Sequence, residues 1–438
     1  MKIKQIISVM VLAAMVLQSS AQSPVVAPAQ KKPIILSGGT IHTGTGEVIE
    51  NGLIAFSAGK ITWVGNASES RLDRSGYEVI DVTGKQVYPG LIFPNTNLGL
   101  TEIGSGVDVA NDTRETGDLN PDVRAIAAYN TDSHVIPVIR SNGILLAQIV
   151  PQGSLLPGTS SVVQLDAWNW KDAAYRKDNG LMLGWPRKSL ASARRGASFP
   201  IPAAGLNTYD KNVEMLEKIF TDAVAYAAIV SPVDFNLRLD AMKGLFDGTR
   251  ILFISASEAK GIIEAVMFAK RYGVRKIVLT GADETAWDIK DFLKDNNIPV
   301  LLNNPLSLPK YDYSDIKEPF KLAAMFGKEG ITVGLGYSSQ AYGNLPFAAG
   351  ETAAYGLTKE EALQTVTLNT AKILGIDDVT GSLEQGKDAN IVVSTGDLLD
   401  MRTNNVELAF ITGRSISLDN KHKQLYRRFQ AKYENQPK

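Results

Sequence analysis

The 438-residue sequence contains no cysteine. Disulfides, thiolate metal sites, cysteine nucleophiles and a lipid-bearing cysteine are thereby excluded. Histidine is almost as scarce, with His42, His134 and His422 the only three. Any chemistry that needs an imidazole must draw on these. No sign of charge dominates, since 45 basic residues face 46 acidic ones. Without a basic patch or an acidic tail, the sequence offers neither a nucleic-acid footprint nor a disordered polyanion. Long apolar runs are missing too, apart from Ile6 to Leu17 near the start. That run is too short to cross a bilayer comfortably.

What is present is ordinary globular material, 44% hydrophobic and 21% charged. The length allows a large α/β unit and a smaller companion. Residues 1–21 have the form of a secretory signal: Lys2 and Lys4, then the apolar run, then Ser19-Ser20-Ala21 at a small-residue cleavage position. The expected mature chain begins near Gln22, has no membrane span, and is exported, in a bacterium to the periplasm. Residues 22–32, rich in Ser, Pro, Ala, Gln and Lys, form a lead-in.

Residues 33–87 read as short strands punctuated by Gly38-Gly39, Gly44, Gly46 and Gly59. Next comes Tyr88-Pro89-Gly90-Leu91-Ile92-Phe93-Pro94-Asn95-Thr96-Asn97, a turn, a buried strand and a polar end. On an extended segment Asn95 and Asn97 point to one side. The loop 99–121 carries Glu102, Asp108, Asn111, Asp112, Arg114, Glu115 and Asp118, and serves either a ligand or only solvent. Residues 123–142 are expected to be one helix with His134 in its second half, and 144–150 a strand. Segment 151–205 has no clear period and holds three of the five tryptophans with Arg187, Arg194 and Arg195. It reads as an insertion, either a lid or partner surface or a decorated rim. A helix over 207–229 follows. From 233 on, strands at 250–255, 276–280, 299–302 and 331–335 alternate with helices at 235–246, 257–272, 284–296, 318–328 and 360–374, the pattern of parallel βα units.

The stretch from Pro89 resembles the first barrel strand of the amidohydrolase superfamily, Pro-Gly-Leu-Ile-Asp-x-His-x-His. Residues 356–397, GLTKEEALQTVTLNTAKILGIDDVTGSLEQGKDANIVVSTGD, resemble the closing segment of its imidazolonepropionase-like or prolidase-like branch, with Asn390 replacing the usual Asp. The resemblance implies a TIM-like (β/α)8 barrel at 91–375 carrying the insertion 151–205. It also implies a small composite β-sandwich from residues 33–90 and 376–420, and leaves 421–438 as a tail. His42 then falls in an exposed sandwich turn, far from the barrel mouth, and His134 on an outer helix.

The family holds one or two divalent metals, zinc among them, at its strand ends. Its ligands are two histidines of strand one, histidines of strands five and six, and an Asp of strand eight. Here those positions hold Asn95 and Asn97, Ser255, Thr280 and Ser338. The strand-four bridging position is not placed. Amide and hydroxyl groups are poor zinc ligands, so no cofactor is expected. Asp283, Asn303 and Asn304 are further oxygen donors at the same rim. They suit either a hard-cation site or, preferably, a hydrogen-bonded network. Three readings stay open. One is an exported hydrolase of non-peptide carbon–nitrogen bonds, impaired by the lost ligands. The second is a metal-free pseudoenzyme that binds a small polar ligand. The third is a partner subunit, in a homo-oligomer or beside an intact relative.

Overall fold

A computed structural model describes residues 25–102, 111–187, 204–230, 233–303, 305–337 and 342–434. The leader 1–21 and the arginines 194 and 195 lie outside these residues, as do Asp108, Asn304 and Ser338.

Five strands open the chain: β1 (Ile34–His42), β2 (Val48–Ser57), β3 (Lys60–Asn66), β4 (Glu78–Asp81) and β5 (Gln86–Pro89). Eight more follow: β6 (Leu91–Thr96), β7 (Ile144–Ile149), β8 (Gly158–Gln164), β9 (Ala174–Gly184), β10 (Ile251–Ser255), β11 (Ile277–Ala282), β12 (Val300–Asn303) and β13 (Val333–Gly336). The last three are β14 (Ile391–Ser394), β15 (Val406–Ile411) and β16 (Arg414–Ser415). The helices are α1 (Val135–Arg140), α2 (Trp170–Ala173), α3 (Ala204–Ala227), α4 (Leu237–Asp247), α5 (Ala259–Arg271), α6 (Glu284–Trp287) and α7 (Lys290–Asp295). After them come α8 (Glu318–Lys328), α9 (Leu345–Ala354), α10 (Lys359–Thr365), α11 (Leu368–Leu374) and α12 (Lys421–Glu434).

The strands form two sheets. The first, in order β16-β15-β14-β5-β1-β2-β3 with β4 on β1, joins both ends of the chain as expected. It closes on itself. Phe56 of β2 and Phe410 of β15 have ring centroids 5.0 Å apart, although β1, β5 and β14 lie between those strands. Strands spaced at about 4.8 Å in a flat sheet would hold those rings far apart. Leu36, Ile54, Ile61, Val87, Ile391 and Phe410 accordingly meet in one buried cluster.

The second sheet runs β6 to β13 in sequence order and forms a nearly closed eight-stranded barrel. One strand departs from the expected parallel pattern. β8 is antiparallel to both β7 and β9, and the other pairings are parallel. Segment 151–205, read as an insertion, therefore supplies two of the barrel's own strands. Its tryptophans do not share a surface: Trp168 is exposed and Trp185 is buried. Short antiparallel strands joined by turns lack the helical spacing that marks βα units, so periodicity passed over them.

Inside the barrel, Ile92, Leu146, Val162, Met182, Phe253, Val278 and Leu301 pack on Ala371, Ile373 and Leu374. Helix α11 thus plugs one end. Gly334 permits this, since a Cβ there would lie 2.7 Å from Leu301 Cδ2 and 3.0 Å from Ile373 Cδ1. Gly90, the link from one sheet to the other, has no room either, with Leu145 Cδ1 2.6 Å from a would-be Cβ.

Three expected helices are broken. Residues 123–142 form a 3-10 turn at Ala125–Ala128 and the short α1. The Asn130 side chain accepts from the Asp132 N–H at 2.9 Å, and Pro137 fits only the first turn of a helix. The span 284–296 divides into α6 and α7, and 360–374 into α10 and α11. At the second break the Val366 carbonyl accepts the Ile92 N–H at 2.9 Å, which ties the helix pair to β6. The tail is also more ordered than expected, since α12 occupies 421–434 although none of its residues is buried. No helix among the described residues is long and apolar enough to cross a membrane.

Candidate active site

The C-terminal ends of the barrel strands surround a cavity of about 1220 Å³ opposite the α11 plug. The period of two places its walls. Phe253, Val278 and Leu301 face the barrel interior, so Ser255, Thr280 and Asn303, two residues further on, face it as well. All three line the cavity, with Asn95, Asn97 and Asp283. Six of the eight candidate residues thus share one wall system, and Asn304 and Ser338 lie outside the described residues.

The strand-one pair is not a simple extended ladder. Asn95 has φ +51°, a left-handed conformation that asparagine tolerates better than most residues. The register between β6 and β7 slips between Phe93 and Thr96. The Asn95 N–H donates to Gln148 Oε1 at 3.1 Å, and the Gln148 amide donates to Ser160 Oγ at 3.0 Å. Asn97 is held at both ends of its amide. The Tyr342 hydroxyl donates to its Oδ1 at 2.8 Å, and its Nδ2 donates to Thr101 Oγ1 at 3.0 Å. Tyr342 stands edge-on to Phe93 with centroids 5.9 Å apart. Burial first, and the charge of Glu102 second, raise its pKa above the ordinary phenol value.

The other candidates are also engaged. Thr280 is buried and donates to the Ile254 carbonyl at 3.1 Å. Asp283 caps α6, accepting from the Thr285 N–H at 2.9 Å, and is paired with Lys310 at 3.0 Å. Lys310 also donates to the Ser257 carbonyl at 2.7 Å. The Asp283 carboxylate is therefore neutralised and held by its own helix and loop.

Several cavity residues did not stand out in the sequence. His134 immediately precedes α1 and is on the cavity wall, not on the outer face of a long helix. Its Nδ1 lies 3.3 Å from Glu102 Oε2, and Asn130 Nδ2 donates to Glu102 Oε1 at 3.0 Å. The signal for this was present, because Asn130-Thr131-Asp132-Ser133 is a run of turn formers just ahead of Pro137. Glu102 belongs to the loop whose role the sequence left open, and it does reach the cavity. Trp185 and Arg187, at the end of β9, line it too.

The donor set does not suit the metal that this architecture implies in its relatives. The aligned ligand positions within the described residues carry amides and hydroxyls, and those groups are hydrogen-bonded to protein neighbours at Asn97 and Thr280. Among the described residues no group of three histidines, aspartates or glutamates is placed to hold a metal ion. A transition-metal centre wants imidazole, thiolate or carboxylate. What the cavity can do is hydrogen-bond a polar molecule through Asn95, Asn97, Ser255 and Asn303, with Glu102–His134 and Arg187 supplying charge.

Comparison with known proteins gives the following. The profile of the amidohydrolase family matches residues 307–416. An imidazolonepropionase of Mesorhizobium japonicum is 23% identical over 384 residues, which is 79% of this chain and 87% of that one. An imidazolonepropionase of Bacillus cereus is 49% identical over 51 residues, 12% of each chain. Among solved structures, an amidohydrolase from Thermotoga maritima matches with a TM-score of 0.75 at 24% identity, covering 88% of this chain and 99% of that one. A prolidase complexed with N-methylphosphonate-L-proline matches with a TM-score of 0.55 at 15% identity and the same coverage.

Proposed function

We propose that this chain, a member of the amidohydrolase superfamily in its imidazolonepropionase- and prolidase-like branch, works without a metal centre and uses its barrel mouth to hold a small polar ligand. The observation that carries the reading is the state of Asn97. It stands where the family has a metal-binding histidine, and both ends of its amide are already bonded, to Tyr342 and Thr101. The family's route to a hydroxide nucleophile at neutral pH is a bound metal that lowers the pKa of its water. Among the described residues of the mouth, the amides and hydroxyls at the family's ligand positions suit binding and orienting a ligand. The wall chemistry favours a ligand with several hydrogen-bond donors and acceptors.

Metal content and ligand response test this together. Protein purified without chelator or affinity metal is analysed by plasma mass spectrometry, then screened by thermal shift against polar metabolites. The expected result is sub-stoichiometric zinc and manganese, and a rise in melting temperature with some ligand, because a molecule that binds only the folded state stabilises it by mass action. A full equivalent of transition metal, with turnover of cyclic amides, acyl amino acids or dipeptides, would restore the family hydrolase reading.

The start of the chain adds a location to this reading. Lys2, Lys4, the apolar run 6–17 and Ser19-Ser20-Ala21 support export to the periplasm in a bacterial host. N-terminal sequencing of protein from the periplasmic fraction should begin near Gln22; an intact Met1 in the cytoplasmic fraction would refute it. Strands β8 and β9 lie within the segment on which the partner-subunit reading rests, and residues 188–203 of that segment lie outside those described.

A further inference from the structure

A second cleft, of about 780 Å³, lies at the seam between the closed sheet and the barrel, and His42 is in its wall. His42 is not an exposed turn residue. Its side chain is 15% exposed, and its ring stacks on Tyr88 with centroids 4.4 Å apart and planes 8° from parallel. The two ring nitrogens reach two different elements. Nδ1 lies 2.6 Å from Glu360 Oε1 on α10, and Nε2 lies 2.9 Å from Gln86 Oε1 on β5. Glu360 belongs to the barrel side of the seam, and His42 and Gln86 to the sheet side.

We propose that the His42 imidazolium is a pH-sensitive clamp that fastens the small sheet to the barrel through Glu360, and that loss of its proton loosens the seam. The charges around it favour that role. From the loop after β14, Asp397 is taken by Lys359 at 2.8 Å, and Asp400 by Arg402 at 2.8 Å. Glu351 of α9 lines the same cleft. Tyr88 accepts from the Leu398 N–H at 3.4 Å through its hydroxyl. Glu360 differs from these acids: its Oε2 is buried and has no hydrogen-bond partner among the described residues. His42 is thus the group that balances the Glu360 charge, and a charge-assisted bond of this kind is stronger than a neutral one.

Burial pulls the His42 pKa down. The bonds to Glu360 and Gln86, with the charges of Glu360 and Asp397, outweigh it and leave the pKa raised above the ordinary 6.5. The sign follows. A group whose pKa is higher in the folded state adds stability in full below its unfolded pKa, and that stability is lost as pH rises through the folded pKa. The clamp is therefore closed in mild acid and opens toward alkaline pH. Its opening has a route to the barrel floor, because Val366, the residue after α10, holds the Ile92 N–H of β6 through its carbonyl.

With only three histidines, their imidazole proton resonances can be titrated one by one in the full mature chain. His42 should titrate above the ordinary 6.5, and Glu360→Gln should move it down. Between about pH 5 and 8, where an unperturbed histidine changes charge, melting temperatures of wild type and His42→Gln are compared. The advantage of wild type should be largest at the acid end and shrink as pH rises. Amide exchange at Ile92 in wild type should speed up over the same range beyond the intrinsic pH effect. A His42 that titrates at or below the ordinary histidine value, or that ignores Glu360→Gln, would overturn the proposal, as would parallel stability profiles.

Discussion

At the scale of single residues, Asn97 and Asp166 make opposite points about buried polar groups. Asn97 is partly buried and linked to two neutral partners. Replacing it with alanine should cost about 1 kcal/mol, the net worth of an ordinary hydrogen bond, as measured by urea unfolding. The same variant should lose the ligand-induced thermal shift expected at the mouth. Asp166 is buried between Arg140 at 2.5 Å and Arg414 at 3.0 Å, and also accepts the Ala27 N–H at 2.9 Å. Burial lowers the pKa of Arg140 and the Asp166 charge opposes that. Asp166→Ala leaves two guanidinium groups without their carboxylate. Its expected cost is about 3–5 kcal/mol, the range for breaking a buried pair from one side. An unchanged urea midpoint would contradict this. None of these partnerships was visible in sequence, because Arg140, Asp166 and Arg414 lie on three elements far apart in the chain.

At the scale of elements, the readable ones are those whose local pattern and tertiary role agree. The helices 257–272 and 318–328 are observed as α5 and α8 within two residues of their expected ends, since an apolar stripe and a covering position ask for the same period. Where elements failed, a local feature competed. Asn130 and Pro137 broke one helix, and the bond from Ile92 to Val366 broke another. Thr358 caps α10: its hydroxyl accepts from the Glu361 N–H at 3.2 Å, and the Glu361 carboxylate accepts from the Thr358 N–H at 2.7 Å. Thr358→Ala should cost about 1 kcal/mol. Since Glu360 lies in that first turn, the variant should also lower the His42 titration; a stability loss with His42 unmoved would separate the cap from the clamp.

For the whole molecule, two conditions should behave differently. On the proposed metal-free reading of the mouth, chelator should leave the melting temperature and any ligand response unchanged; a fall on adding EDTA would argue for a bound ion. Alkaline pH should weaken the contact between the two sheets, through His42, and leave the barrel core, which is held by apolar packing around the α11 plug. Hydrogen exchange across β1, β5 and α10, compared with β10 and β11, would distinguish the two regions. Uniform loss of protection in both would mean that the molecule opens as one unit.

Periods of two and 3.6 residues, which act over a few neighbours, made the alternating strands and helices from residue 233 onward legible. The barrel with its companion sheet, and the places of Ser255 and Thr280 at the strand ends, came from the resemblance to the amidohydrolase superfamily. Asn95 and Asn97 were legible as a polar strand end, though not the left-handed turn at Asn95 that aims them. Only the tertiary structure decided that β8 runs antiparallel, that α11 fills the barrel floor, that His134 meets Glu102, and that His42 is closed against Glu360. Glu360 lies 318 residues from His42 in the chain. No local pattern encodes such a pair; it exists because the packing of the two sheets leaves those side chains facing each other at the seam.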